Sequence, residues 1–411
     1  MPVLRCRRGA VCAQGAKARR TPQGPAALVM VLRSMRSVLG ADDRFPDRGA
    51  GHGTLERAHS TNCRLVLVNG LSAVRDLLVS INSPEANSSA KSINLIEARV
   101  TKALLRTGIA CVIGLTSIGF SAAQRCDGIW LSVAADEHRC LRPGVGERFK
   151  DCRDCPEMVV VPAGTFTMGS PPDEPQREGA REDQVPVTIA TPFAIGAFAV
   201  TRHEFAAFVS GTNYKLDEGC YFWTGTTWEE RSDRSWRSPG FIQEDHHPVT
   251  CIDLKAAKAY AVWLSEKTGK LYRLPSETER EYATRAGTTT PFWWGFSITT
   301  GTANYNGLPY QQGDRGEWRQ ATVRVDSFRP NAWGIYNVHG NVWDWTEDCW
   351  NETNAGNPGD GSVRTTGDCT WRVARGGAWN YAPNYLRAAF RYWNLPHNRS
   401  GVQGFRVARM L

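Results

Sequence analysis

The chain has 411 residues, 41% of them hydrophobic and 22% charged, with a formal net charge of +8. That length holds one large domain or two to three ordinary ones. Much of the positive charge sits in Arg5-Cys-Arg-Arg8 and Lys17-Ala-Arg-Arg20, but no aromatic interleaving or DNA-binding pattern accompanies it, so no nucleic-acid partner is expected.

Fourteen of the fifteen tryptophans lie at or after Trp223, and residues 1–99 hold none. An aromatic-rich core therefore belongs to the C-terminal half. Residues 1–99 are too poor in apolar surface to offset ordering entropy and read as a leader, either disordered or not translated. Residues 100–124 follow with the anatomy of a secretory signal: Lys102 and Arg106, an apolar run from Thr107 to Phe120, then Ser121-Ala-Ala123. The run is short for a spanning helix. The expectation is a start near Val100 and export to a periplasmic or extracellular space, with a single uncleaved membrane anchor as the alternative.

Eight cysteines follow this segment, an even number that suits disulfides in an oxidising compartment. Cys349 and Cys369 bracket one polar loop and Cys220 and Cys251 another, and both pairs are predicted to be bridged. Residues 125–155 read as a Cys-containing linker. In it, Cys152-Arg-Asp-Cys155 is a lone CxxC that lacks the second pair zinc needs and precedes a strand rather than a redox helix. It is a structural disulfide or an unpaired linker segment.

From residue 156 the elements become readable. The run from Glu157 to Gly169, broken by Pro-Ala-Gly, reads as two strands around a turn. Ser170 to Gln184 is polar and reads as a surface loop, and Val185 to Val200 returns to strand. Thr201-Arg-His-Glu204 is a capping box opening a short helix to about Ser210. Asp253 caps a second helix with Leu254, Ala257, Ala261 and Leu264 on one face and Gly269 past its end. Ser276-Glu-Thr-Glu279 opens a third, ending near Arg285. Beyond 288 periodicity disappears. The result is an α+β domain with few helices, short strands and much ordered loop.

Gly334-Ile-Tyr-Asn-Val-His-Gly-Asn-Val-Trp-Asp-Trp345 concentrates turn formers, hard oxygen donors and large apolar rings. Together with Val-Pro-Ala-Gly-Thr-Phe-Thr-Met-Gly, His-Pro-Val-Thr-Cys, Tyr-Arg-Leu-Pro-Ser-Glu-Thr-Glu-Arg-Glu-Tyr-Ala, Arg-Val-Ala-Arg-Gly-Gly-Ala-Trp and Gly-Phe-Arg-Val-Ala-Arg, in that order over residues 156–411, it resembles the sulfatase-modifying-factor family of formylglycine-generating enzymes.

The resemblance implies a C-type-lectin-like fold. It also implies copper(I) held by two cysteines just after Arg375-Gly-Gly-Ala-Trp379, a soft-ligand chemistry. Tyr381 and Leu386 stand in those two positions, so copper is not expected. The resemblance further implies calcium at Asn337, Asp344 and the carbonyls of Gly340 and Val342. A second site would use Asn304 and the Tyr305 carbonyl with Asp314 or Glu317. His203, His246, His247, His339 and His397 read as ordinary loop histidines.

The last forty residues are dense in Tyr, Trp, Asn and Ser, as in a binding paratope. A cleft containing Trp379, Tyr381, Tyr385 and Trp393 is expected there, with Arg387 among the arginines that would contact an acidic or peptide ligand. The expected function is a calcium-stabilised, monomeric binding or accessory module for a peptide, protein or small molecule. The competing expectation is an oxidoreductase acting on a protein cysteine or small thiol with another metal.

Overall fold

Apolar periodicity and capping place the three α-helices of the described residues as expected. In α1, Arg202–Thr212, Thr201 and Glu204 form a reciprocal capping box, and Asn213 ends the helix in the left-handed region. In α2, Leu254–Thr268, the Asp253 side chain accepts the Ala256 N–H and Gly269 closes the end at φ 66°. In α3, Glu277–Arg285, Ser276 and Glu279 form a second capping box. Phe205, Phe208, Tyr260 and Leu264 of the first two helices enter the main core.

In this computed structural model, residues 126–134 and 137–411 are described. The expectations for 1–99 and 100–124 lie outside the described residues. No helix among the described residues is long and apolar enough to cross a membrane.

Two sheets organise the domain. One is five-stranded and antiparallel, in the order Tyr272–Arg273, Ala408–Met410, Phe193–Gly196, Met158–Val161, Arg148–Phe149. The other is four-stranded, in the order Tyr392–Asn394, Asp368–Arg375, Trp343–Trp350, Gln403–Phe405, with the last pair parallel. The chain passes from Phe405 in one sheet to Ala408 in the other, so its end ties both together. Hairpins at Gly164–Met168 with Val185–Ile189, and at Cys220–Trp223 with Trp228–Arg231, flank them. Between α3 and Trp343 no helix or strand forms, in keeping with the missing periodicity.

Two expectations are corrected. In the stretch read as a linker, the described residues 126–134 and 137–155 are folded: Ile129–Ser132 pairs with His138–Leu141, closed by Cys126–Cys140, and Phe149 is buried in the sheet. The supposed surface loop 170–184 is pinned inward, with Ser170 and Glu182 fully buried. Both predicted disulfides are present, Cys220–Cys251 and Cys349–Cys369, and Cys152–Cys155 is bridged as well.

Candidate functional site

The turn from Gly334 to Trp345 is the hub. Gly340 sits at φ 88°, and a Cβ there would lie 2.4 Å from the Asn304 carbonyl oxygen and 2.9 Å from Leu386, so only glycine fits. Asn341, at φ 69°, accepts the Val323 N–H at 2.9 Å and an Asn304 N–H at 3.1 Å, and donates to the Val323 carbonyl at 3.0 Å. Fully buried His339 accepts the Trp293 N–H at Nε2 and donates from Nδ1 to the Leu386 carbonyl. Burial pushes its pKa down to about 3. His203, His246, His247 and His397 are exposed or half-buried; among the described residues no three His, Cys, Asp or Glu side chains gather as a metal-ligand cluster.

The oxygens expected for calcium are present but unevenly surrounded. Asn337 Oδ1, Asp344 Oδ1 and Asn304 Oδ1 are all buried with no hydrogen-bond partner, the condition in which a hard cation completes an oxygen set. Charge opposes the ion. Asp344 Oδ2 accepts from Arg280 at 2.8 Å and from Arg406 at 2.7 Å. Arg280 also donates to the Val338 carbonyl, and burial holds its pKa down near 10. The acids considered for the second site, Asp314 and Glu317, are exposed, while Asn304 is fully buried; Tyr305 is buried in an apolar cluster with Phe292 and Leu386.

The two positions of the copper cysteines offer no soft ligand. Leu386 is fully buried in that same apolar cluster. The Tyr381 hydroxyl donates to Tyr392 at 3.3 Å, and burial raises its pKa. All eight cysteines from Cys126 to Cys369 are in disulfides. The residues present do not fit a copper–thiolate centre.

Tyr381 instead lines a cleft of about 360 Å³. The hairpin supplies Tyr221 and Trp228, and the four-stranded sheet supplies Trp343, Trp371, Tyr392 and Gln403. Leu395, Asn398, Ser400 and Val402 close it, with Asn394, and no Asp, Glu, Lys, Arg or His lines it. The base of the hairpin is held by Cys220–Cys251 and by the Tyr221 N–H donating to the Arg399 carbonyl at 2.7 Å.

Of the five residues expected to bind ligand, only Tyr381 lines this cleft. Trp379 is buried, its indole N–H donating to the Gly401 carbonyl at 3.0 Å. Tyr385 packs edge-on against Phe390. Trp393 stacks on Trp350 at 4.5 Å with the Arg181 guanidinium over it. Arg387 is fully buried and neutralised by Glu174 and Glu182. Tyr221 and Trp228, far ahead of the aromatic tail in sequence, carried no signal in their own neighbourhood. A larger cleft of about 570 Å³ near Arg148 and Arg324 has those two cations paired with Glu157 and Asp326.

Residues 145–411 match the sulfatase-modifying factor enzyme 1-like domain. A formylglycine-generating enzyme of Thermomonospora curvata is 32% identical over 289 residues, 61% of this chain and 92% of that protein. An inactive Cα-formylglycine-generating enzyme 2 of Bos taurus is 29% identical, covering 61% of this chain and 87% of its own. The solved structure of PvdO from Pseudomonas aeruginosa superposes with a TM-score of 0.57 at 40% identity, over 65% of this chain and 98% of that one. With the motif order, the α+β fold and this match over most of the described residues, the chain belongs to the sulfatase-modifying factor, or formylglycine-generating enzyme, family.

Proposed function

We propose that this chain is an exported binding or accessory member of the family that holds its ligand in the Tyr381 cleft and does not oxidise cysteine through a copper–thiolate centre. The observation that carries the reading is the pair Tyr381 and Leu386. One turns a soft-ligand position into a neutral hydroxyl on a cleft wall, and the other fills its position with a buried hydrocarbon. The relative named as inactive supports a family in which the fold outlives the chemistry. Four disulfides support an oxidising compartment.

The test incubates the purified protein with copper, oxygen and a sulfatase-type Cys-x-Pro-x-Arg peptide, with metal content measured in parallel. No aldehyde and no stoichiometric copper are expected. Aldehyde on the peptide, or stoichiometric copper or iron, would favour the oxidoreductase reading and overturn this one.

Calcium at the 334–345 turn is part of the same proposal, supported by the unpartnered oxygens of Asn337 and Asp344. Because Asp344 is already shared by two guanidiniums, the affinity belongs in the weak range, on the order of 10⁻⁴–10⁻³ M. At ten times the dissociation constant the ion would stabilise the fold by about 1.4 kcal/mol. Calorimetry with added calcium should show a melting shift only near millimolar concentrations; no shift at ~10 mM, ten times the upper end of that range, removes the claim.

A further inference from the structure

The Cys152–Cys155 bridge lies away from the residues of the Tyr381 cleft, and its setting differs from that of the other three. It spans 3 residues of sequence, where they span 14, 20 and 31. The stabilisation from a bridge shrinks with the loop it closes, so this one contributes least. It sits inside the loop between Arg148–Phe149 and Met158–Val161, whose ends are already paired at Phe149 and Met158. The turn also has anchors of its own. The Cys155 N–H donates to the Cys152 carbonyl at 3.2 Å. Asp151 Oδ2 accepts from the Tyr272 hydroxyl and pairs with Arg409, each at 2.7 Å, and Lys267 stands 3.9 Å from Asp154. The loop therefore does not depend on the bridge to be closed.

The two cysteines are unequally placed, Cys152 half-buried and Cys155 fully buried. An incoming thiolate thus meets Cys152 first, and Cys155 is the group that leaves. Arg153, Asp154 and Cys155 line the cleft of about 570 Å³ near Arg148 and Arg324. Its acids are occupied: Glu157 by Arg148, Asp326 by Arg324, Asp154 by Lys267. Glu204 accepts from Thr201 in the cap of α1, and burial raises its pKa. Lys150 and Arg153 line the same cleft and enter no ion pair among the described residues; Lys150 acts on Glu204 at longer range. Cations beside a thiol lower its pKa and make it a better leaving group. They stand in for the helix N-terminus of other CxxC sites, since this turn runs into a strand.

We propose that Cys152–Cys155 is a redox-active bridge that oxidises a dithiol partner. One partner thiolate attacks Cys152 Sγ, the Cys152–Cys155 bond breaks, and Cys155 takes up a proton. The partner's second thiolate then attacks the partner's own sulfur in the mixed disulfide, and Cys152 leaves. Two electrons pass to the bridge, the partner dithiol becomes a disulfide, and its two protons pass through solvent to Cys152 and Cys155. The product is a disulfide rather than an aldehyde, and the activity is independent of the Tyr381 cleft.

The oxidised full chain is equilibrated in dithiothreitol buffers of graded reduced-to-oxidised ratio. Free thiols are capped by alkylation and mapped by mass spectrometry, with thermal melting followed in parallel. Cys152 and Cys155 are expected to open at a ratio at least tenfold lower than Cys126–Cys140, Cys220–Cys251 or Cys349–Cys369, with the melting transition retained. Four bridges opening together, or this one opening only as the fold melts, overturns the proposal. A second arm follows alkylation of Cys152 against pH in Cys155→Ala. Its midpoint should lie below the ordinary thiol value of about 8.5 and rise when Lys150→Gln and Arg153→Gln are added. A midpoint at or above that value in Cys155→Ala alone, or one indifferent to the two cations, also overturns it. Should Cys155→Ala fail to fold, the first measurement, made on the unaltered chain, decides.

Discussion

His339 shows how one side chain can fix both a turn and a pH dependence. Its two ring nitrogens join the hub to Trp293 and to the Leu386 carbonyl, which requires the neutral ring with the proton on Nδ1. Burial, helped by Arg280 and Arg285, lowers its pKa from 6.5 to about 3. Between those values the unfolded chain binds the proton and the folded chain does not. Stability from this residue is therefore present above 6.5 and lost as pH falls toward 3, at up to about 1.4 kcal/mol per unit. Asp348, raised to about 7 by burial and by Glu277, contributes with the opposite sign over much of the same range. The check is thus a difference: denaturant unfolding from pH 7 to 4.5 should show a shallower acid loss in His339→Gln than in the parent. Equal slopes would mean that His339 does not ionise on unfolding. Asp344 carries a related lesson. Its place in the motif was legible, but the two arginines that claim it come from 64 and 62 residues away in sequence, beyond the reach of local spacing.

At the scale of elements, the segment 170–184 and the short 3-10 turn Pro383–Leu386 form one unit. Arg387, just after that turn, makes a bidentate pair with Glu182 at 2.6 and 2.7 Å and a further bond to Glu174 at 2.7 Å. Burial raises the Glu174 pKa despite this partner. Burial would raise Glu182 as well, but Arg387 and Ser170 bring it below the usual value. A polar, proline-rich run looks solvated because its composition is, and nothing in the run announces a guanidinium arriving from more than 200 residues on. Arg387→Met should leave two carboxylates buried without a counter-charge, a loss of about 3–5 kcal/mol measurable by urea unfolding. A loss below about 1 kcal/mol, the level of a surface pair, would show that 170–184 opens to water at little cost. The helices, by contrast, were readable to within two residues because capping boxes and a terminal glycine are local signals.

For the whole molecule, the order of motif blocks was enough to state the fold, while the composition of the cleft was not. Its walls come from a hairpin near 220, strands at 343 and 371, Tyr381 and the segment 392–403, and only Tyr381 and that segment lie in the aromatic tail that drew attention. Residues there that looked most exposed to ligand, Trp379 and Arg387, are consumed by packing and ion pairing. The chain's last strands, Gln403–Phe405 and Ala408–Met410, belong to different sheets and complete both. On a ribosome that dependence has a temporal meaning. Neither sheet can reach its final pairing until residues 403–410 have been synthesised and are free to pair. A chain threaded through a pore would likewise leave both sheets incomplete until those residues emerge.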